Sequence, residues 1–380
     1  MLRYSMKRND FMRIVGLIAE YNPFHNGHLY QLKKIKEIYP DSIIILVLNG
    51  YFLERGIISI ESKETKTELA LKYGVDLVIE LPFIFGSNSA DIFADASIKL
   101  LNHLKIDTLV FGSESNDKDL LIKVAKNQLN NQFDSKVKEY MDKGLNYPTA
   151  LNKANEYEIK EPNDLLAISY IKSIIKNNYQ IEINPIQRTN NFHDINSNDT
   201  IISASNIRNK LKNNIDIDKY IPEGKINTIN EELYFNLLKY QIITNNHLEK
   251  ILTVDEGIEN RLKKIINEAN NLDELINKIK TKRYTYNRLM RMFNHILIGL
   301  TKEDKNSVLN LEYIRILGFT VFGQKYLNSI KKEISIPIIN KIQTSNTITS
   351  QYEIKAAMLY AQLCNCDTLK FEYSNKPKKI

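Results

Sequence analysis

Residues 14–32 read IVGLIAEYNPFHNGHLYQL, and this stretch decides the fold. Its first six residues form an apolar run, which is typical of a buried strand. The Asn-Pro pair that follows predicts a tight turn, and a helix is expected to begin near Gly27. The order strand, turn, helix therefore places His25 and His28 at the start of a helix.

The two histidines and the glycine between them suit the binding of a phosphate. Both imidazoles can face an anion, and Gly27 lets the backbone approach it closely. A helix N-terminus adds free N–H groups and the positive end of its dipole. The alternative is a loop that carries two unrelated histidines. However, two of the chain's six histidines fall here, with Pro23 and Gly27 in the expected places.

The first half of the chain alternates strand and helix patterns outward from this stretch. Nearly continuous apolar runs predict strands at residues 13–20, 42–49, 75–81 and 106–111, and a fifth strand is predicted at 179–188. Helical patterns lie at residues 27–38, 60–73, 90–104 and, more loosely, 117–178. Apolar runs of this kind are typical of strands buried on both faces of a parallel sheet. The sequence therefore predicts an α/β fold with a doubly wound, Rossmann-like parallel sheet, whose ligand binds beyond the carboxyl ends of the strands.

A second, mostly α-helical domain is predicted after this sheet. A length of 380 residues favours two domains, and helical patterns without a clear strand follow residue 222, until the last few residues. Pro222 and Gly224 interrupt the pattern, so we predict domains at 12–220 and 221–380. Residues 1–11 are predicted to be a disordered leader or a start-site artefact, with Met12 as the alternative start.

The composition indicates an ordinary soluble, cytoplasmic protein. Hydrophobic residues make up 43% and charged residues 26% of the chain, and no apolar stretch is long enough to predict a membrane helix. Cys364 and Cys366 make a poor disulfide framework and an incomplete zinc site, so we predict reduced cysteines and no dedicated metal site. A net charge of +7 permits a polyanionic partner without requiring one. The oligomeric state is left open.

A second candidate phosphate motif is SASNIR at residues 203–208. Ser203 can cap the N–H groups at a helix start, and the same start can bind a phosphate. Arg208 lies one turn inside, where its guanidinium can reach phosphate oxygens. Taken alone, the motif can be a simple helix cap. Paired with the histidine motif, it resembles the second phosphate motif of a large nucleotidyltransferase superfamily.

Longer segments narrow this resemblance to one family. The chain resembles the tRNA(Met) cytidine acetate ligases in the segments GLIAEYNPFHNGHLYQL, VDLVIELPFIFGSNSADIFADASIKLLNHL, FGSES, EPNDLLAISY, ISASNIR, TKRYTYNRLMRM and EYIRILGF. The resemblance implies an enzyme that activates acetate with ATP, giving acetyl-adenylate and pyrophosphate. It then transfers the acetyl group to N4 of the wobble cytidine of elongator tRNA(Met). Mg²⁺ is expected to arrive with ATP.

The resemblance also assigns residues. It implies that His25, His28 and Arg208 act on the phosphates during catalysis. It implies an ATP site formed by Ile18, Ala19, Glu20, Tyr21, Asn22, Pro23, Phe24, His25, Asn26, Gly27, His28, Leu29, Tyr30, Gln31, Gly112, Asn163, Arg188 and Ser203. Asn163 could instead cap a helix, and Arg188 could be an ordinary surface residue.

One segment departs from the family pattern. After the second strand the family usually reads Gly-Asn/Asp-Phe-x-Gln-Arg-Gly, whereas residues 50–56 read GYFLERG. Arg55 and Gly56 are kept, but Tyr51 and Glu54 differ. The effect of these two residues on the placement of acetate or cytidine is left open.

The second domain contains a candidate tRNA-binding segment. Residues 281–295 contain no acidic residue. We predict tRNA contacts from Lys282, Arg283, Arg288 and Arg291, with Tyr284 and Tyr286 available for stacking. The alternative is a solvated basic face of a helix.

Two other functions are compatible with parts of the sequence. A small-molecule nucleotidyltransferase of cofactor synthesis would use the same two phosphate motifs, but it would leave the basic second domain unexplained. A non-catalytic RNA-binding factor with a vestigial nucleotide fold would not need His25, His28, Ser203 and Arg208.

Overall fold

A computed structural model of the chain describes residues 12–155, 157, 159–188, 200–307, 309–374 and 376–380. The predicted leader, residues 1–11, lies outside the described residues. The strands are β1 (Ile14–Ala19), β2 (Ile43–Asn49), β3 (Leu77–Leu81), β4 (Thr108–Ser113), β5 (Glu182–Gln187), β6 (Ile314–Phe319), β7 (Ile338–Ile339) and β8 (Lys378–Lys379).

Helices connect and cover these strands. They are α1 (Asn26–Ile38), α2 (Lys63–Lys72), α3 (Phe83–Gly86), α4 (Ala90–His103), α5 (Lys118–Gln128), α6 (Phe133–Asp142), α7 (Tyr147–Ala154), α8 (Pro162–Lys176), α9 (Ala204–Lys212), α10 (Glu231–Thr244), α11 (Ile258–Ile265), α12 (Leu272–Ile279), α13 (Tyr286–Ile298), α14 (Val321–Ile330), α15 (Ile348–Cys364) and α16 (Thr368–Ser374). Among the described residues, the longest apolar helices fall short of what a bilayer crossing requires.

The strands form one mainly parallel sheet. Its order is β5-β4-β1-β2-β3-β6-β7, and β8 also pairs with β6. The pairings among β1 to β5 are all parallel. The chain moves outward from β1 to β3 on one side and continues with β4 and β5 on the other, so the order reverses between β1 and β4. The doubly wound α/β prediction is confirmed, and this reversal is where such sheets bind their ligands.

Both faces of the sheet are covered by apolar side chains. Alternate residues of β2 show this, since Ile45 belongs to one apolar cluster and Ile44 to the other. The first cluster includes the inner faces of α4 and α8, and the second includes that of α1. The helix with the two histidines and the pair α4–α8 therefore lie on opposite faces of the sheet.

The expectation that no strand precedes the last few residues of the second half is wrong. Strand β6 pairs antiparallel with β3, so the later part of the chain extends the sheet of the first part. The sequence IRILGF hid this strand because a charged residue, Arg315, interrupts the apolar run. Arg315 is fully buried. Most of the remaining residues after 220 are helical as predicted, and the domain boundary itself stays a prediction.

A buried ion cluster explains how Arg315 can lie in the core. It comprises Lys63, Glu80, Glu353, Glu372 and Arg315. The Lys63 ammonium lies 2.6 Å from Glu353 and 2.9 Å from Glu372, and it also bonds Glu80. Arg315 bonds Glu80 at 3.0 Å and also pairs with Glu372. Two cations and three carboxyls, from α2, β3, β6, α15 and α16, are thus partners of one another in the core.

The pKa values of two of these carboxyls reflect the crowding. Burial and the nearby Glu80 raise the pKa of Glu353 to about 7. Burial also acts to raise the pKa of Glu372, but Arg315 and Lys63 lower it to about 2. The two cations therefore hold Glu372 in its charged form.

Replacing Lys63 should strongly destabilise the protein. Lys63→Met keeps a side chain of similar length but leaves three buried carboxyls with Arg315 alone, and breaking a buried ion pair costs about 3–5 kcal/mol. Urea unfolding followed by circular dichroism measures the loss. Lys72→Met, at the exposed end of the same helix, is the control and should cost well under about 1 kcal/mol. Equal losses in the two variants would contradict the central role of Lys63.

Candidate functional site

A cleft of about 260 Å³ opens at the carboxyl ends of β1, β4 and β5, beside the point where the strand order reverses. The starts of α1 and α9 form one wall. Most of the predicted nucleotide-site residues border it, namely Ile18, Ala19, Glu20, Tyr21, Asn22, His25, Gly27, His28, Tyr30, Gln31, Gly112, Asn163, Arg188, Ser203 and Arg208. The structure therefore brings together segments that are far apart in the sequence.

The two histidines form an interlocked pair at the start of α1. His25 is the N-cap, and its Nδ1 accepts a hydrogen bond from the Gly27 N–H at 3.0 Å. The backbone N–H of His25 donates to Nδ1 of His28 at 3.2 Å. The rings lie 3.9 Å apart between centroids. Because Nδ1 accepts in both rings, each neutral imidazole carries its proton on Nε2.

Both histidines are neutral at neutral pH in this environment. Burial, followed by the charges of Arg188 and Arg208, lowers the pKa of His25 to about 3. Burial, His25 and Arg188 hold the pKa of His28 well below its usual value. The pair thus offers Nε2–H donors to an anion, while the positive charge of this region comes from the arginines.

Gly27 is required by the ring of His25. A Cβ atom at position 27 would lie 2.7 Å from Cε1 and 2.9 Å from Nδ1 of His25. Any side chain here would displace the imidazole that caps the helix. The glycine in the motif therefore fixes the orientation of the histidine two residues earlier.

The start of α9 supplies the second predicted motif. The Ser203 hydroxyl caps the helix by accepting from the Asn206 N–H at 3.2 Å. The Arg208 guanidinium donates to the carbonyl of Asn22 at 2.7 Å and to the Ser205 hydroxyl at 3.2 Å. Ser203 is thus a helix cap that also borders the cleft. Arg208 is tied to the loop after β1, next to the histidines.

The opposite wall is organised by a residue that the sequence analysis did not assign. Glu114 accepts a hydrogen bond from the Asn163 side chain and lies 3.5 Å from Nε of Arg188. It also accepts from the backbone N–H of Asp164 at 3.2 Å. Glu161, and not Asn163, is the N-cap of α8, so Asn163 is not the helix cap. Glu114 therefore sets the positions of Asn163 and Arg188 at the cleft, near Gly112.

Four of the predicted ATP-site residues do not border the cleft: Pro23, Phe24, Asn26 and Leu29. The ring of Phe24 is buried and packs edge-on against Tyr21. The Asn26 side chain donates to the carbonyls of Thr200 and Lys219 at 2.9 and 3.0 Å. Phe24 and Asn26 therefore support the loop and hold α1 against the segment before and after α9.

The cleft also includes residues that the sequence analysis did not place in it: Leu53, Arg55, Ile57, Phe93, Phe111, Tyr170, Ile186, Gln187, Ile201, Ile202, Ala204 and Ser205. Arg55 lies in residues 50–56, which follow the second strand and were therefore expected at the carboxyl edge of the sheet. This position was the sequence signal that could have placed Arg55 at the cleft. Phe93 and Tyr170 lie on helix faces with an ordinary core pattern, and nothing in the sequence distinguished them.

The predicted tRNA-binding segment is less open than its sequence indicates. Acidic partners come from elsewhere in the chain, since Arg283 lies 3.4 Å from Glu256 and Arg288 lies 3.9 Å from Asp255. Lys282 is exposed. Although residues 281–295 contain no acidic residue, Arg283 and Arg288 therefore have counter-charges, because the segment packs against an acidic turn distant from it in sequence.

The two tyrosines of this segment also differ from each other. Tyr284 is buried, hydrogen-bonds the backbone of Asp255 and lies under the guanidinium of Arg288, 4.1 Å from the ring centroid. It is not available to stack on a base. Tyr286 is 41% exposed and stays a candidate.

Arg291 faces the loop that follows β2, in the first half of the chain. Its Nη1 donates to the carbonyl oxygen of Glu54 at 3.0 Å and to the Glu54 carboxylate at 3.3 Å. Only 17% of either side chain is exposed. Gly56, with a φ of +77°, packs directly on α13, where a Cβ would lie 2.5 Å from the backbone nitrogen of Arg291. Arg291 therefore joins α13 to the loop that follows β2.

The two departures from the family pattern both have defined contacts. Tyr51 is buried and donates to Glu372 at 2.7 Å, which links its loop to the ion cluster. Glu54 donates its backbone N–H to Glu20 at 2.7 Å. Burial raises the pKa of Glu54 to about 7 despite the neighbouring Arg291. Glu54 therefore holds its proton up to higher pH than an exposed glutamate.

This raised pKa predicts a pH-dependent stability. Between about pH 4.5 and 7 the folded protein binds more protons at Glu54 than the unfolded chain does, so rising pH lowers the free energy of unfolding. Glu54→Gln keeps an acceptor for Arg291 and cannot ionise. Relative to wild type, it should gain roughly 1–3 kcal/mol between about pH 5 and pH 8.

Urea unfolding at several pH values measures this gain. The exposed residue Glu232 provides the matched control Glu232→Gln, which should follow the wild-type curve. Parallel pH curves for Glu54→Gln and wild type would show that Glu54 is charged in the folded protein throughout this range.

Comparisons with known proteins extend over nearly the whole chain. The model of the HIGH Nucleotidyl Transferase family matches residues 12–376. The tRNA(Met) cytidine acetate ligase of Geobacillus sp. (strain WCH70) is 37% identical, over 96% of this chain and 99% of the relative. That of Fusobacterium nucleatum is 38% identical, over 88% and 89%.

Two solved structures are also similar to this chain over nearly its whole length. The crystal structure of apo Thermotoga maritima TmcAL has a TM-score of 0.88 and 26% identity, covering 97% of this chain and 100% of that one. The same protein bound with alpha-thio ATP has a TM-score of 0.84, also at 26% identity, and covers 97% of this chain and 99% of that one. The α/β sheet and its helical continuation are therefore shared along the full length. This chain belongs to the tRNA(Met) cytidine acetate ligase family of the HIGH nucleotidyl transferases.

Proposed function

We propose that this protein is an ATP-dependent ligase that acetylates N4 of the wobble cytidine of elongator tRNA(Met) in the cytoplasm. The observation that carries the proposal is the cleft itself. Two neutral imidazoles, two helix N-termini and the guanidiniums of Arg188 and Arg208 converge there. Such a set suits a triphosphate, and family membership supplies the acyl donor and the acceptor.

The first half-reaction is an in-line displacement. A carboxylate oxygen of acetate attacks the α-phosphorus of ATP, the bond to the bridging oxygen breaks, and pyrophosphate leaves with acetyl-adenylate formed. Nε2–H groups of His25 and His28 and the guanidinium of Arg208 stabilise the negative charge on the phosphates. Mg²⁺ would enter with ATP, coordinated by phosphate oxygens, and would offset part of their negative charge.

The second half-reaction uses the mixed anhydride as the acyl donor. The N4 amine of the cytidine attacks the acetyl carbonyl carbon, the bond to the adenylate oxygen breaks, and AMP leaves as the amine loses a proton. The proposal therefore requires no covalent enzyme intermediate. Asn163 and Arg188, held by Glu114, are proposed to bind the nucleotide on the side of Gly112.

Acetate-dependent exchange of labelled pyrophosphate into ATP tests this function. The ligase should exchange with acetate alone. A cofactor-forming nucleotidyltransferase would require its own phosphorylated substrate, and a non-catalytic RNA-binding factor would show no exchange.

His28→Ala should slow the exchange by an amount that corresponds to roughly 2–4 kcal/mol of transition-state stabilisation, the cost of losing one preorganised donor. The exposed His247 provides the control His247→Ala, which should exchange normally. Normal exchange by a folded His28→Ala protein would remove the catalytic assignment.

The proposed tRNA contacts lie on Lys282, Arg283 and Arg288. Arg291 was also predicted to contact tRNA, but its buried pairing with Glu54 turns it away from solvent, so we propose that it holds the cleft loop instead. The side chain of Arg283 is 63% exposed. Lys282 and Arg283 are therefore the pair best placed to neutralise phosphates.

The double variant Lys282→Ala, Arg283→Ala should bind tRNA with a weaker salt dependence. Each lost phosphate contact lowers the slope of log affinity against log salt by roughly 0.7–0.9, so the slope should fall by up to about two. Filter binding at several salt concentrations measures it. Lys331→Ala, Lys332→Ala makes the same charge change on another exposed surface and is the control. Acetate-dependent exchange should stay normal in both double variants. An unchanged slope in the Lys282→Ala, Arg283→Ala variant would show that residues 281–295 form a solvated basic face that does not bind tRNA.

A further inference from the structure

One part of the cleft has no role in the function described so far. It is formed by a tight turn after β2, residues 53–57, and by Phe93 of α4 and Tyr170 of α8. Leu53, Phe93 and Tyr170 are almost fully buried, although they border the cleft. We call this part the apolar corner. Arg55 lies at the tip of the turn, beside this corner.

The turn that carries Arg55 is held in place from several directions. The Leu53 N–H donates to the Ile57 carbonyl at 2.9 Å and closes the turn. The Glu54 N–H bonds Glu20, and the Glu54 carbonyl accepts from Arg291. The carbonyl of Gly56 accepts from the Asn294 side chain at 2.9 Å. These contacts fix the backbone on both sides of Arg55, as a binding residue requires.

The apolar corner lies on the opposite face of the sheet from the histidine helix. Phe93 and Tyr170 belong to the apolar cluster of α4 and α8, whereas α1 packs on the other cluster. In an in-line displacement the attacking oxygen and the leaving group lie on opposite sides of the phosphorus. If pyrophosphate leaves toward the starts of α1 and α9, the attacking carboxylate must approach from the side of the apolar corner.

The charges around this corner favour a small anion. Arg55 and Arg208 both border the cleft, so two guanidiniums are available to an anion bound there. The nearby acids already have partners, since Glu20 accepts from Asn49 at 3.0 Å and from the Glu54 N–H, and the Glu54 side chain accepts from Arg291 at 3.3 Å. Arg55 has contacts within the protein and also borders the cleft. A carboxylate beside Arg55 would have a cation at one end and aromatic rings at the other.

We propose that Arg55 binds the carboxylate of the acyl donor and that Phe93 and Tyr170 enclose its methyl group, which limits the donor to a short-chain monocarboxylate. The proposal rests on the proposed function, because it assigns the acyl site of that reaction. Arg55 would orient the carboxylate toward the α-phosphorus, and the two rings would set the length of the chain that fits.

The test measures KM for acetate and for ATP separately in the pyrophosphate exchange reaction. Arg55→Gln should raise KM for acetate about tenfold or more, the loss of a charge-assisted hydrogen bond. KM for ATP should change by less than about twofold, because the phosphate contacts of His25, His28 and Arg208 remain. Arg55→Lys should restore part of the acetate affinity. Arg261→Gln, an exposed arginine distant in sequence, is the control and should leave both constants unchanged.

Chain-length specificity tests the apolar corner. Phe93→Leu shortens the aromatic wall while keeping a hydrophobic side chain, so the variant should fold and should use propionate and butyrate better relative to acetate. Equilibrium binding of ATP shows that each variant is folded. A raised KM for ATP with an unchanged KM for acetate in Arg55→Gln would overturn the assignment and give Arg55 to the phosphates. An unchanged preference among the three acids in Phe93→Leu would overturn the role of the rings.

The failure of this proposal differs from the failure of the proposed function. A wild-type protein without acetate-dependent exchange would overturn the function, and the acyl site with it. A wild-type protein with normal exchange, whose Arg55→Gln variant keeps the wild-type KM for acetate, would overturn the acyl site alone.

Discussion

The rest of the structure depends on the buried ion pairs between the Lys63 ammonium and three carboxyls. The ammonium lies among carboxyls from β3, α15 and α16, and Arg315 of β6 balances them. Because a buried charge is tolerated only with its partners present, the later half of the chain must dock for the sheet of the first half to be stable. Tyr51 bonds the same cluster through Glu372, so the loop after β2 is positioned by it as well. The ion cluster in the core therefore helps to position the loop that borders the cleft.

In the cleft, different side chains supply directional hydrogen bonds and positive charge. The imidazoles are kept neutral by burial and by neighbouring arginines, which makes them directional hydrogen-bond donors. The charge itself is supplied by guanidiniums, which stay protonated at any pH where the protein is folded. Donors whose geometry is fixed and cations whose charge is fixed require little reorganisation when charge develops on a phosphate.

Much of the site could be predicted from the sequence because its signals are local. His25, Gly27 and His28 form one helix start, and Ser203 and Arg208 form another, so short spacings predict their geometry. The strands β1 to β4 are continuous apolar runs for the same reason. What could not be predicted depends on pairs distant in sequence. Strand β6 was missed because the partners of Arg315 lie elsewhere, and the basic segment looked unpaired for the same reason.

Phe93 and Tyr170, which line the cleft, illustrate a further limit of prediction from the sequence. A ring that lines a cleft and a ring that fills a core produce the same periodic pattern, since both are buried on one face of a helix. Their difference is the empty volume beside them, which depends on the ends of strands from other parts of the chain. Glu114 is similar, because its link to Asn163 and Arg188 exists only after β4, α8 and β5 have come together.

The contact between position 27 and the His25 ring also restricts how this sequence can change. Every amino acid other than glycine carries a Cβ, and a Cβ at this place would overlap the imidazole. Position 27 is therefore closed to single substitutions for as long as position 25 keeps its ring in this orientation. Position 25 is free to vary sterically, but a residue without a side-chain acceptor there removes the cap of α1. The two sites therefore form one mutational unit, in which position 25 must change before position 27 can accept a side chain.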